Sequence, residues 1–272
     1  MEMYLGKFRY AGRSSQKQKF IGGFHVNLYQ FQTIPRNCGM FNLLVVAATP
    51  FEIAPTAEWL KKHGKETQTS APTSWRLTNE VEVTLLITGV GIHAATYSLT
   101  KMLQSYKFGF VLQVGVGGTF DTDIPLGSIC FIKKDCFGDL GAEDHEKELD
   151  LFDIGLLEPN TPPYTDGWLV NSLESDEQGL HLSPCKGLTV NTVSGSENTI
   201  AHRKAKFGAD VESMEGAAFH YVCLNAQVQN FAQVRAISNY VVPRDKNTWK
   251  MAEAINNLNI WLKDYIAGFE RA

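Results

Sequence analysis

The sequence predicts an α/β fold: a single domain with a mixed, mostly parallel twisted sheet flanked by helices on both faces. Three observations predict it. Residues 41–48, Phe-Asn-Leu-Leu-Val-Val-Ala-Ala, form a continuous apolar run, the mark of a strand buried on both faces. Strand-like and helix-like segments then alternate along the chain, with no internal repeat and no low-complexity tract. Glycine-rich turns follow two of the strands, at the carboxyl ends where such sheets bind ligands.

Each element has a local reason. Thr49 and Pro50 open a helix as N-cap and first-turn proline, and Gly64 ends it after His63. Val81–Thr88 reads as a second strand, turned by Gly89-Val-Gly91 into a helix over 92–104. Phe108–Val116 is a third strand, closing on Gly115-Val-Gly117-Gly118, and Gly127–Lys134 is a fourth. Residues 135–180 are acidic and loop-rich, with Pro159, Pro162 and Pro163. Leu188–Ser194 is strand-like, Met214–Gln227 helical, and Phe231–Ser238 a further buried strand. Over Trp249–Phe269, apolar residues recur at helical spacing and predict an amphipathic C-terminal helix.

Composition bounds the function. At 272 residues, 44% hydrophobic and 20% charged, the chain has the make-up of a soluble globular protein rather than a fibrous or disordered one. No apolar run approaches the roughly 18 residues of a membrane span. A net charge of -4 argues against a dedicated nucleic-acid binder. The charge is unevenly spread. Residues 1–39 hold six basic side chains and one acid, which leaves 19 basic and 28 acidic residues from Met40 onward, a net of -9. The folded unit is therefore expected over 40–272, with 1–39 a basic extension, poorly ordered or preceding the true start. A chain beginning at Met40 should keep full activity. Five widely spaced cysteines without a CxxC are expected as reduced thiols of a cytoplasmic protein. No His pair has metal-ligand spacing, and no metal or organic cofactor is expected.

The residues just past the strands are the candidates for chemistry, and each has a plain alternative. Glu52, three residues after Thr49, suits a capping box or a carboxylate projecting into the crevice as a base. The Gly115–Gly118 turn serves geometry alone or lets backbone approach a ligand. In Glu212-Ser-Met214-Glu215, acids favoured by a helix dipole also suit a sugar platform, a thioether packing on ribose while a carboxylate accepts from its hydroxyls. Ser238-Asn239 is a turn or a pair of polar groups at a strand's end. Arg235, inside an apolar run, needs a buried carboxylate partner.

Taken in order, these residues resemble the nucleoside phosphorylase/nucleosidase superfamily over essentially 40–270. Ala47–Ile53 corresponds to the first-strand motif, whose glutamate, here Glu52, is the general base of the hydrolytic members. Thr88-Gly89-Val-Gly91 and Val114–Gly118, with Gly117 and Gly118, match the glycine loops lining ribose and base. Met214-Glu215 matches the ribose-holding pair, and Arg235-Ala-Ile-Ser238-Asn239 the motif that grips the purine. Segments 137–144, 211–218 and 238–245, followed by Trp249, are similar to the futalosine-hydrolysing branch, which serves menaquinone synthesis. The resemblance implies hydrolysis of the N-glycosidic bond of futalosine, releasing hypoxanthine, by a homo-oligomer of at least two chains.

Two departures sharpen that implication. Nucleosidases acting on methylthioadenosine or S-adenosylhomocysteine usually place Asp where this chain has Asn239. An Asn cannot supply a proton, but its amide can donate to N7 or O6 of a 6-oxopurine. Phosphorylases carry arginines in the first-strand loop, and residues 47–58 contain none. Residues 194–198 are polar, and nothing there matches the aromatic that nucleosidases stack on the base. Arg244 is a candidate for the carboxylate on the 5′ side of the substrate, or else a solvated loop arginine. The alternatives are a methylthioadenosine/S-adenosylhomocysteine nucleosidase, a purine nucleoside phosphorylase and a non-catalytic nucleoside binder. A dinucleotide-binding oxidoreductase is disfavoured, since no GxGxxG follows the first strand.

Overall fold

The apolar run at Phe41 becomes the axis of the fold. The computed structural model describes residues 40–68, 72–78, 81–145 and 147–271. The expectations for residues 1–39, and Cys38 with them, lie outside the described residues. Strand β1 (Phe41–Ala47) is parallel to both its neighbours: Val45 lies opposite Leu85 of β4 (Val81–Ile87) and Leu112 of β5 (Phe110–Thr119). Leu43 to Ala47 are at most 1% exposed, as a strand covered on both faces requires.

Side chains alternate across β1 and so divide the core into two layers. Leu43, Val45 and Ala47 pack with Ile53 and Leu60 of α1 (Pro50–His63) and with Leu258, Leu262 and Ile266 of α5 (Met251–Arg271). Leu44 and Val46 pack with Leu99 and Met102 of α2 (Ile92–Ser105) and with Phe219 and Val222 of α4 (Gly216–Asn225).

The strands run in the order β11-β10-β6-β12-β5-β1-β4-β3-β2. Here β2 is Lys65–Gln68, β3 Thr73–Arg76, β6 Ile129–Asp135, β10 Pro184–Thr189, β11 Val211–Ser213 and β12 Phe231–Tyr240. The central four, β4, β1, β5 and β12, are parallel. Strand β6 runs against β12, with β10 and β11 parallel to β6. The sheet then curls until β11 pairs antiparallel with the end of β5, Glu212 opposite Gly118. That closure brings the segment after β11 to the carboxyl ends of β5 and β12.

The fold class read from the sequence is the observed one, and the differences are local. Strands β2 and β3 were unread because they form a polar, partly exposed edge with no apolar alternation. The acidic stretch contains an exposed hairpin, β7 (Gly141–Asp144) with β8 (Lys147–Asp150), and a two-residue strand β9 (Leu169–Val170) against β6. The strand expected over 188–194 ends at Thr189, because Asp139 accepts from the Asn191 and Thr192 amides and bends the chain. Helix α3 (Glu197–Phe207) was missed because Arg203 is its only buried residue. Its Ser196 cap and left-handed Gly208 terminus were legible signals. The helix expected from Met214 begins at Gly216, since 211–213 is strand.

Candidate active site

Because β1, β5 and β12 are parallel, their carboxyl ends meet at one edge, and the candidate residues are assembled there. Glu52 stands at the third position of α1, just past β1, and is 7% exposed. Its Oε2 accepts from Thr49 N at 2.9 Å and Thr49 Oγ1 at 3.1 Å. Its Oε1 reaches across to β5 and accepts from Val116 N at 3.2 Å. The two oxygens are thus placed differently: one caps the helix, and the other faces the β5 backbone at the crevice.

Gly115 explains how that reach is possible. A Cβ at this position would lie 2.5 Å from Arg235 Nη1 and 2.9 Å from Glu52 Oε1. Only glycine admits both side chains against the strand. Arg235, opposite Gly115 on β12, is 1% exposed. Its Nη2 donates to Gln113 Oε1 at 3.1 Å and its Nη1 to Val116 O at 3.4 Å. The buried carboxylate it requires is Glu215, whose Oε2 lies 3.7 Å from Nη1.

Glu215 is 5% exposed, and its Oε1 accepts from Gly91 N at 2.9 Å. Gly91 has φ +91°, a left-handed value that aims this amide from the start of α2 into the crevice. Burial raises the Glu215 carboxyl above the ordinary range, and the Glu52 charge adds to it. Arg235 and the Gly91 amide oppose the rise without cancelling it. Met214 beside it is half-buried. Glu212 faces elsewhere: it accepts from Ser194 N at 2.9 Å and from Arg203 Nη1 at 3.4 Å, with Arg203 itself 4% exposed. Of the two acids flanking Met214, only Glu215 meets Arg235. The polar Ser194 is bound to Glu212, while Ser196 caps α3.

At the end of β12 the register against β5 slips by one residue, Ile237 pairing with Gly117 and Asn239 with Gly118. Ser238 is the extra residue of this bulge, a device that re-aims side chains beside sites. Its hydroxyl reaches Gly117 O at 3.2 Å and Asn239 Oδ1 at 2.9 Å. Asn239 Nδ2 donates to Tyr240 O at 3.0 Å and lies 2.9 Å from where a Gly118 Cβ would stand. The amide end of Asn239 therefore faces the glycine turn. Gly117 in turn packs under β11, where a Cβ would meet Val211 Cγ1 at 2.8 Å.

Thr88 is buried, and its hydroxyl donates to Gly89 O at 2.9 Å, bracing the Gly89–Gly91 loop. Arg244 has no contact with the Glu52–Glu215–Arg235 cluster among the described residues. It is exposed, with its guanidinium 5.2 Å from the Trp249 ring centre.

Two further neighbours, Gln113 and Asp135, are not among the candidates that follow from the sequence. Gln113 was visible as the polar residue in an apolar strand. Asp135, fully buried at the end of β6, accepts from Thr189 Oγ1 at 2.9 Å, and Thr189 Oγ1 accepts from Ala217 N at 2.7 Å. This chain anchors the start of α4 next to Glu215. Burial pushes the Asp135 carboxyl up to about 7, with the Thr189 hydroxyl and the Arg235 charge opposing. Among the described residues, no group of three or more His, Cys, Asp or Glu side chains is placed to hold a metal ion, and no helix is long and apolar enough to cross a membrane. The four described cysteines are free and buried.

A futalosine hydrolase of Thermus thermophilus is 30% identical over 188 residues, covering 68% of this chain and 81% of that protein. A futalosine hydrolase of Streptomyces coelicolor is 29% identical, covering 79% and 90% respectively. The solved structure of a futalosine hydrolase mutant of Helicobacter pylori superimposes with a TM-score of 0.67 at 18% identity, over 84% of this chain and 99% of that one, and shares its fold. The family model of the phosphorylase superfamily matches residues 42–267, nearly the whole described fold, and the chain belongs to that superfamily.

Proposed function

We propose that this chain hydrolyses the N-glycosidic bond of futalosine to hypoxanthine and dehypoxanthinyl futalosine. The activity is that of the curated relatives from Thermus thermophilus and Streptomyces coelicolor. The observation that carries it is that two buried carboxylates flank Gly115 at a first-strand loop without arginine, Glu52 held by the Val116 amide and Glu215 paired with Arg235.

The mechanism follows from placement. Cleavage passes through an oxocarbenium-like ribose, which nearby carboxylates stabilise. Glu52, through Oε1, holds and deprotonates the attacking water, a role typically worth about 100- to 10,000-fold. Glu215 accepts from the ribose hydroxyls, oriented by the Gly91 amide and by Arg235. Met214 packs beneath the sugar. Thr88, Gly89, Gly117 and Gly118 shape the two loops against it. Ser238 fixes the Asn239 carboxamide through Oδ1 and one Nδ2 hydrogen goes to Tyr240 O, which leaves the second Nδ2 hydrogen to donate to N7 or O6 of hypoxanthine as it departs as its anion, to be protonated from solvent. Asn239 has no acidic proton to give, and this disfavours adenine release by the methylthioadenosine reading. Arg244, five residues further on, is assigned the aryl carboxylate on the 5′ side.

By the same reading we infer a cytoplasmic homo-oligomer in the futalosine route to menaquinone, without nucleic-acid partners and with 40–272 as its folded unit. Chromatography of purified protein with futalosine, methylthioadenosine and inosine, each with and without phosphate, tests the reading. Free hypoxanthine from futalosine without phosphate is expected. Preference for methylthioadenosine, or dependence on phosphate, overturns it.

A further inference from the structure

Helix α1 carries Glu52 and also an internal proline, Pro55. Proline removes one amide from the helical ladder and presses on the carbonyl four residues back. The next rung pairs Glu52 O with Thr56 N in an undistorted helix. Here both groups bond one side chain from α5: Thr56 N donates to Asn259 Oδ1 at 3.1 Å, and Glu52 O accepts from Asn259 Nδ2 at 2.8 Å. A carboxamide thus bridges the two ends of that rung, at the residue that bears the proposed base.

Asn259 is 1% exposed and fully committed. Its Nδ2 also donates to Ile255 O at 2.8 Å, and its Oδ1 also accepts from Thr56 Oγ1 at 2.7 Å. Two donors and two acceptor sites exhaust a carboxamide. The orientation is fixed, since a flipped amide would set its NH2 against the Thr56 amide. Its neighbours Leu258 and Leu262 are core residues, so an apolar side chain would be the ordinary occupant here.

We propose that Asn259 is a positioning residue for the reaction, acting on Glu52 through its backbone carbonyl. This rests on the reading of Glu52 as the base. Glu52 must satisfy Thr49 at the helix start and Val116 on β5 at once, so the turn that carries it needs a defined pitch. Pro55 loosens that turn, and Asn259 holds it at a pitch set by its own bridge, which a regular helical rung would not reproduce. Misplacement of a reacting group by about 1 Å typically costs on the order of 100-fold.

The test compares N259L, P55A/N259L, E52Q and E52Q/N259L by hypoxanthine release and thermal melting. N259L is expected to lower kcat about 10- to 100-fold with KM within about twofold. In P55A/N259L the Glu52–Thr56 pair can close on itself. This variant should regain the melting temperature but not kcat, and it keeps the test readable if N259L alone does not fold. In the E52Q background, N259L should cost no further kcat. Wild-type kcat in N259L, or recovery of kcat together with stability in P55A/N259L, overturns the proposal and leaves Glu52 untouched. An active E52Q instead removes the base assignment itself.

Discussion

Replacing Glu52 by Gln separates the two tasks this side chain performs. Its Oε2 faces the Thr49 amide and hydroxyl, and its Oε1 faces the Val116 amide. A carboxamide has one oxygen, so one of these backbone donors must face an NH2 group. Losing an N-terminal cap or one such bond costs about 1–2 kcal/mol. For a chain of this size that lowers the melting temperature by about 2–8 °C. If Oε1 also holds the attacking water, turnover should fall about 100- to 10,000-fold in the same variant. T49A is the control: it weakens the cap at Oε2 and leaves Oε1 in place, so it should lose stability and keep turnover within a few-fold. The assays are hypoxanthine release at saturating futalosine and a thermal melt. An E52Q protein that melts a few degrees early yet turns over within about threefold of wild type would refute the reasoning and leave Glu52 as a helix cap alone.

Further outcomes are expected. N239D should move preference towards the 6-amino analogue of futalosine, measured as the ratio of kcat/KM for the two substrates; an unchanged ratio counts against Asn239 as the base-reading residue. Glu215 must be ionised to hold the ribose, and burial raises its pKa. The acid limb of kcat should therefore lie above the ordinary carboxylate range, with activity falling as pH drops through it; a limb within the ordinary range contradicts this. Asp135 is raised from 3.8 to about 7, so the stability linked to it is fully present below about pH 4 and is lost as pH rises towards 7. D135N should remove that decline, melting higher than wild type at pH 8 and nearly alike at pH 4, as thermal scans across pH will show. R203M should cost about 3–5 kcal/mol, because it strands the buried Glu212 carboxylate without its cation, and chemical denaturation measures this.

The site was legible wherever its residues lie just past a strand that reads clearly. Glu52 follows β1 and Ser238-Asn239 stand at the end of β12, and chain position alone put them at the carboxyl edge, whereas Met214-Glu215 follow β11, a three-residue strand with no clear signal of its own. Arg235 announced itself as a charge within an apolar run. The division of labour between Glu212 and Glu215 was not legible, because it depends on which face of a three-residue strand each carboxylate leaves. Helix α3 hid because its exposed surface carries almost no apolar period. Asn259 and Asp135 hid for a different reason: each is one polar residue among several in its element, and its importance lies in a partner far away in the chain, 207 residues away in the case of Glu52.

By itself the sequence determined the α/β class, the parallel centre of the sheet and the edge at which the candidate residues gather. Those follow from apolar runs, caps and glycine turns, which are properties of neighbours in the chain. The tertiary structure alone decided that the sheet curls until β11 meets β5, and so that Glu215 faces Arg235 and the Gly91 amide. It also decided which oxygen of Glu52 caps the helix and which enters the crevice. Hydrogen bonds and ion pairs of this kind fall off within a few ångströms, so they depend on closure of the whole sheet, which no local pattern encodes.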